Sequence, residues 1–173
     1  NNKIIIIDYN ELPSLRKLIE IDNNSLSRKI IYKDNSIFFI TDKGKFYSYN
    51  LSTYKKNLLF EDNEVFTDFT IFKNEFIIFT LSGKIICYNH QKSTNQQIKI
   101  KDNFIISSYV KNNHLFCGSW NGQIYKVDLE NFIMIDELIG HKRSVINIKY
   151  FDNDYIYSSS LDKTIKKWKL KKI

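Results

Sequence analysis

One pattern returns along this sequence about every forty residues, and it limits what the chain can fold into. Segments rich in β-branched and aromatic residues align on a single position, and the intervals between its occurrences are 40, 39, 39 and 41 residues. A period of this length is typical of stacked supersecondary units that share one continuous core. The chain is therefore predicted to use one small unit several times. The aligned position holds Tyr9, Tyr49, Tyr88, Val127 and Trp168.

Each repeat contains four short segments with the composition of β-strands. Two of them meet at a tight turn, and in three repeats this turn carries a glycine, Gly44, Gly83 or Gly122, whose backbone tolerates a positive φ. One strand-like run precedes such a hairpin, as at residues 144–151, and another follows it, as at residues 134–140. Short alternating runs separated by turn residues predict an all-β chain with four strands per repeat.

The last two repeats resemble the WD-repeat family of β-propellers. Gly140-His141 is followed at residues 158–170 by a Ser-rich strand, an Asp turn and a Trp-containing strand. Residues 117–129 match the same pattern, with Asp128 at the Asp of the family's Trp-Asp pair. The resemblance implies blades made of four-stranded antiparallel sheets. We expect about four such blades plus one leading strand.

The period also predicts where the repeats begin and end. A closed propeller of seven blades requires about 280 residues at about 40 residues per blade. We therefore expect this chain to be the C-terminal part of a larger propeller, or one part of a shared one. The expected divisions are leading strands at 1–21 and repeats at 22–60, 61–99, 100–138 and 139–173.

The resemblance also implies a structural role for the most conspicuous polar residues. In WD-repeat proteins a His, a strand Ser, a turn Asp and a Trp form a hydrogen-bonded chain inside a blade, and the matching residues here are His141, Ser158, Asp162 and Trp168. A His-Ser-Asp set is also the composition of a catalytic triad. Because this Ser is expected in the middle of a strand rather than at a substrate site, we favour the structural role and predict no catalytic residue.

Charge, histidine and cysteine content limit which partners, cofactors and cellular compartment we expect. The net charge is +7 and the sequence lacks Ala, a composition typical of AT-rich coding, so the Lys excess is weak support for a polyanionic partner. The histidines fall at different ranks in different repeats, so we predict no metal and no other cofactor. Cys87 and Cys117 lie in apolar runs without metal-ligand spacing, which favours an intracellular protein, cytoplasmic or nuclear. The longest aliphatic run, residues 4–7, is too short for a membrane span.

We expect a non-enzymatic scaffold or adaptor that binds a protein or peptide partner, within a multi-subunit complex, on the top face of the propeller. Trp120 stands just before a turn, at a rank that points to this face, although it could instead pack over its own turn. Two alternatives stay open: a targeting domain of a larger enzyme such as a kinase, and nucleic-acid binding through the Lys-rich surface. By rank, the predicted partner-binding residues are Ser25, Ser27, Asp42, Glu64, Phe66, Leu81, Asn103, Ile105, Trp120, Ser144, Ile146 and Leu161.

Overall fold

A computed structural model describes residues 3–8, 16–22, 25–100, 103–152 and 155–170, and every regular element in these ranges is a β-strand. The chain divides into two compact units, Asn1–Val65 and Phe66–Ile173. Within the described ranges no helix has the length and apolar character needed to cross a bilayer. The predicted all-β class is confirmed.

The first unit contains two antiparallel sheets. The first sheet is formed by two leading strands, β1 and β2, which run antiparallel from Lys3 opposite Asp22 to Asp8 opposite Arg16. The second sheet has the order β3-β4-β5-β6, and its interior packs against Ile4 of β1. The strands are β1 (Lys3–Asp8), β2 (Arg16–Asp22), β3 (Ser27–Lys33), β4 (Ser36–Thr41), β5 (Lys45–Asn50) and β6 (Lys56–Glu61).

The second unit contains two four-stranded sheets and one sheet with three described strands. Their orders are β10-β9-β8-β7, β11-β12-β13-β14 and β15-β16-β17, and all neighbouring strands are antiparallel. The strands are β7 (Phe66–Phe72), β8 (Glu75–Thr80), β9 (Lys84–Asn89), β10 (Thr94–Lys99), β11 (Ile105–Lys111), β12 (His114–Ser119), β13 (Ile124–Asp128), β14 (Ile133–Leu138), β15 (Val145–Asp152), β16 (Tyr155–Ser160) and β17 (Ile165–Lys169).

The first strands of the three sheets in the second unit lie beside one another. The Thr67 hydroxyl of β7 donates to the carbonyl of Ile105 in β11 at 3.2 Å, and the Ser107 hydroxyl of β11 donates to the carbonyl of Val145 in β15 at 2.8 Å. The sheets pack face to face through apolar side chains of their second and third strands, among them Ile77, Phe79, Ile85, Leu115, Cys117 and Tyr125. This packing explains why both faces of β8, β12 and β13 are buried.

The hairpin between the second and third strands has the predicted turn chemistry. Gly44, Gly83 and Gly122 have φ values of 65°, 85° and 94°, which confirms the prediction of positive φ at these positions. In the last repeat Lys163 takes the place of the glycine with a φ of 67°. A side chain at Gly122 would also collide with the carbonyl of His141. Both the positive φ and this close approach therefore require glycine here.

Candidate partner-binding site

Four polar side chains of the last sheet form one chain of hydrogen bonds. The indole N–H of Trp168 donates to the hydroxyl oxygen of Ser158 at 2.7 Å, and Nε2 of His141 lies 2.8 Å from the same oxygen. Nδ1 of His141 lies 2.9 Å from the Asp162 carboxylate. Because an indole can only donate and a carboxylate can only accept, Ser158 and His141 link a fixed donor, Trp168, to a fixed acceptor, Asp162.

This arrangement has the pairwise contacts of a catalytic triad, but its serine hydroxyl is not accessible to a substrate. The hydroxyl of Ser158 is committed to Trp168 and His141, and the residue is 1% exposed. A nucleophile must reach a substrate carbonyl, and this oxygen lies inside the sheet packing. The arrangement can fix the β16–β17 hairpin against the loop before β15.

Asp162 is held as a carboxylate by several donors. Partial desolvation acts to raise its pKa, but hydrogen bonds from the Thr164 hydroxyl, the Lys142 backbone N–H and the His141 ring outweigh it and keep the pKa of Asp162 well below its ordinary value. The backbone N–H of Thr164 also donates to this carboxylate, at 2.9 Å. The turn is therefore stabilised by a permanent negative charge at neutral pH.

The other sheets replace this network with apolar pairs in the same register. Trp168 lies opposite Ile156, and the corresponding pairs are Val127 with Leu115, Tyr88 with Phe76 and Tyr49 with Ile37. At the position of Ser158 these sheets carry Cys117, Ile78 and Phe39, all with 0% exposure. At this interior position the last sheet therefore has a polar network, whereas the other three sheets have apolar side chains.

The hairpins share a second stabilising feature, a buried hydroxyl at the start of the turn, that was not predicted from the sequence. The last residue of each second strand is a buried Ser or Thr whose hydroxyl accepts a backbone N–H from its own turn, at 3.0 to 3.2 Å. The signal was available, because a hydroxyl residue recurs at one rank in each of these repeats. The residues are Thr41, Thr80, Ser119 and Ser160.

The residue after each hydroxyl lies at the hairpin end, and three of these four predicted contacts are well exposed. We name these residues, Asp42, Leu81, Trp120 and Leu161, the hairpin-end residues. Leu81, Trp120 and Leu161 are 49%, 55% and 44% exposed, and Asp42 is half-buried. Large apolar side chains in this state are the usual centres of protein contacts.

The other predicted contact residues divide into two groups. Ile146 is exposed, and Ser27 and Glu64 are half-buried. The buried group presents little side-chain surface to a partner in this conformation, since its residues are at most 7% exposed. Its members are Ser25, Phe66, Asn103, Ile105 and Ser144.

A β-bulge explains why the ranks in the last repeat are displaced by one residue. The first strand of each sheet, β3, β7, β11 and β15, shifts register after its first residue, but β15 has a second shift between Tyr150 and Asp152 that the other three lack. Ser144 therefore corresponds to Phe104 rather than to Asn103, as their bonds to the hairpin ends show. A bulge inserts one unpaired residue and leaves the apolar pattern of the strand ambiguous at that point.

Trp120 is held in place although its side chain is exposed. Its ring stacks on Phe104 with centroids 5.0 Å apart and planes at 26°. Its backbone N–H donates to the carbonyl of Phe104 at 3.1 Å, and its own carbonyl accepts the Ser144 hydroxyl at 2.9 Å. Ser144 in turn accepts the backbone N–H of Leu161 at 3.0 Å, so one buried serine ties two hairpin ends together.

A cavity of about 380 Å³ opens between these two hairpin ends. Trp120 and Leu161 supply apolar surface, and Lys142 and Arg143, which sequence reasoning did not single out, supply positive charge. The adjacent pair of basic residues after Gly140-His141 is the signal that could have drawn attention to them. The complete lining is Trp120, Asn121, Lys142, Arg143, Ser144 and Leu161.

A second cavity, of about 140 Å³, is lined by Glu75, Cys87 and Asn89, which are hydrogen-bonded to one another. Glu75 accepts the Cys87 thiol at 3.1 Å and the Asn89 side-chain amide at 3.1 Å. Burial, with the hydrogen bond and charge of Glu75, raises the pKa of Cys87 to about 12, so this thiol is not a nucleophile at neutral pH. In the described part of the chain no group of three His, Cys, Asp or Glu side chains is placed to hold a metal ion.

No protein-family profile matches the chain. Among curated proteins, the E3 ubiquitin-protein ligase COP1 of Pisum sativum is 31% identical over 91 residues, which cover 51% of this chain and 13% of that ligase. The chain therefore matches only a small part of the relative's length.

Two computationally designed proteins of known structure resemble the chain more fully. Ika4 gives a TM-score of 0.77 at 14% identity, covering 87% of this chain and 94% of that protein. Ika8 gives a TM-score of 0.81 at 13% identity, covering 98% of this chain and 56% of that protein. Identities this low relate the fold alone. Together with the antiparallel sheets described above, they place the chain in the all-β, β-propeller fold class.

Proposed function

We propose that this chain is a protein-interaction module that binds a protein or peptide partner through its hairpin ends. The observation that carries this proposal is Trp120, a large side chain that is 55% exposed and yet fixed by Phe104 and Ser144. Rigid, exposed aromatic side chains give much contact area at little cost in conformational entropy. Leu161 and Ile146 extend the apolar surface of the same unit.

The polar network supports a non-enzymatic role for its own four residues. Ser158 and His141 are buried and mutually satisfied, so they stabilise the hairpin that carries Leu161. The pea relative is a ubiquitin-protein ligase, an enzyme, and this chain matches 13% of its length. A second candidate is therefore a targeting domain within a larger enzyme, with the same hairpin ends recruiting its substrate or anchor.

Affinity capture with a matched pair of variants tests the proposal. Trp120→Ala removes the fixed aromatic ring, and Phe151→Ala removes an aromatic side chain that is 80% exposed at the far end of β15. We expect proteins captured by the native chain to be lost with Trp120→Ala and retained with Phe151→Ala, while both variants melt near the native temperature. Equal capture by both variants would refute a role for the hairpin ends.

A further inference from the structure

The cavity between the hairpin ends of Trp120 and Leu161 combines two kinds of surface. Its lining includes the apolar side chains of Trp120 and Leu161 and the basic residues Lys142 and Arg143, both exposed. Its volume of about 380 Å³ lies in the lower part of the range for ligand-binding pockets, about 300–1,000 Å³. No acidic residue lines it. The cavity therefore combines positive charge with apolar surface.

The basic charges in this lining are not neutralised within the described part of the chain. Neither Lys142 nor Arg143 forms a side-chain ion pair with another described residue, and the indole N–H of Trp120 meets no acceptor there. The neighbouring carboxylate, Asp162, is occupied by His141, Thr164 and the backbone N–H of Lys142. Two cations and one N–H donor thus remain for a ligand.

The cavity is also pre-formed. Ser144 is 3% exposed and fixes both hairpin ends, through its hydroxyl to Trp120 and its carbonyl to Leu161. The Asn121 side chain is engaged by Ser119 and Gln123 at 2.7 and 2.6 Å, which holds the turn beside Trp120. A ligand therefore meets walls that need little ordering, which lowers the entropic cost of binding.

From these features we infer that the cavity binds an acidic peptide segment that carries one apolar anchor residue. The anchor side chain packs between Trp120 and Leu161, and carboxylates on neighbouring peptide residues face Lys142 and Arg143. Guanidinium and ammonium groups pair with carboxylates by charge-assisted hydrogen bonds. This inference rests on the proposed function and specifies the chemistry of the partner.

A protein segment fits this site better than a nucleic acid does. One face of the Trp120 ring is already covered by Phe104, and the exposed apolar side chains at and beside the other hairpin ends of this unit are the aliphatic Leu81, Ile146 and Leu161. A single-stranded nucleic acid is held by successive aromatic platforms along a continuous basic groove. The isolated Trp and the aliphatic surroundings favour an amino-acid anchor.

Selection of random twelve-residue peptides displayed on phage, with the full chain as bait, tests the inference. We expect enriched peptides to carry Asp or Glu within a few residues of a single large apolar residue. Their binding, measured by fluorescence anisotropy with synthetic copies, should weaken by about 30-fold or more with Trp120→Ala and should fall as ionic strength rises. Enrichment of neutral or basic peptides, or of none, would overturn the inference.

Matched variants separate the cavity from general charge. Lys142→Glu with Arg143→Glu should abolish binding of the acidic peptides, whereas Lys163→Glu, in the adjacent turn but outside the cavity, should change affinity less than about twofold at physiological salt. Leu161→Ala should weaken binding, and Leu81→Ala should not. Equal loss with Lys163→Glu, or tighter binding of a single-stranded oligonucleotide than of any peptide, would contradict the inference.

The two proposals fail in different ways. If Trp120→Ala removes partner capture but Lys142→Glu with Arg143→Glu leaves it intact, the hairpin ends bind a partner and the acidic-peptide inference is wrong. If Trp120→Ala leaves partner capture intact, the proposed function itself is wrong.

Discussion

Replacing Ser158 with Ala tests whether the polar network stabilises the last sheet. The hydroxyl of Ser158 accepts from Trp168 at 2.7 Å and lies 2.8 Å from His141 Nε2, and the His141 side chain has 0% exposure. The substitution leaves the buried Nε2 without its hydrogen-bond partner, which costs about 1–3 kcal/mol. For a chain of this length each kcal/mol lowers Tm by about 2–4 °C.

The assay combines thermal melting by circular dichroism with hydrogen exchange of the β16 and β17 amides. Ser159→Ala, which changes the neighbouring residue on the opposite face of β16, is the matched control and should melt close to the native protein. In a double-mutant cycle, Trp168→Phe should cost less in the Ser158→Ala background than in the native protein, since the indole N–H is then already unpaired. Indistinguishable melting and exchange for the two serine variants would refute a stabilising network.

Three further outcomes follow from the geometry. Gly122→Ala should destabilise the chain by about 1 kcal/mol or more in urea unfolding, because it adds a side chain at a φ of 94° and against the His141 carbonyl. The lowered pKa of Asp162 contributes stability that is complete above about pH 4 and is lost as pH falls toward the folded-state pKa, so acid melts should be steeper for the native chain than for Asp162→Asn. Burial raises the pKa of Cys87 and Cys117, so both thiols should resist a disulfide reagent at about pH 8 until the chain unfolds.

The sequence predicted the parts of the fold that depend on local chemistry. The three turn glycines and the antiparallel strand repeats follow from backbone freedom and from the apolar pattern, which are local properties. The pairing of β1 with β2 was missed, because only one of the two strands matched the repeat pattern. The aligned Tyr9 lies outside the described residues.

The candidate site was predicted less completely, because it depends on contacts between repeats. Trp120 was found from its rank, but the ring beneath it, Phe104, lies in the loop that directly precedes β11. Lys142 and Arg143 reach the same cavity only through the packing of two sheets. The second bulge of β15, between Tyr150 and Asp152, shifted the ranks by one residue, and a pattern of period two cannot detect such an insertion.

In each hairpin one residue stabilises the turn and the next residue provides the exposed surface. The stabilising hydroxyls are those of Thr41, Thr80, Ser119 and Ser160. Each turn is closed by the hydroxyl and by the backbone, so the following side chain contributes little to holding the hairpin. That position carries Asp42, Leu81, Trp120 or Leu161 on the same backbone frame. Such a frame permits evolution, or an engineer, to exchange the exposed residue of one repeat for another specificity while the hairpin beneath it stays folded.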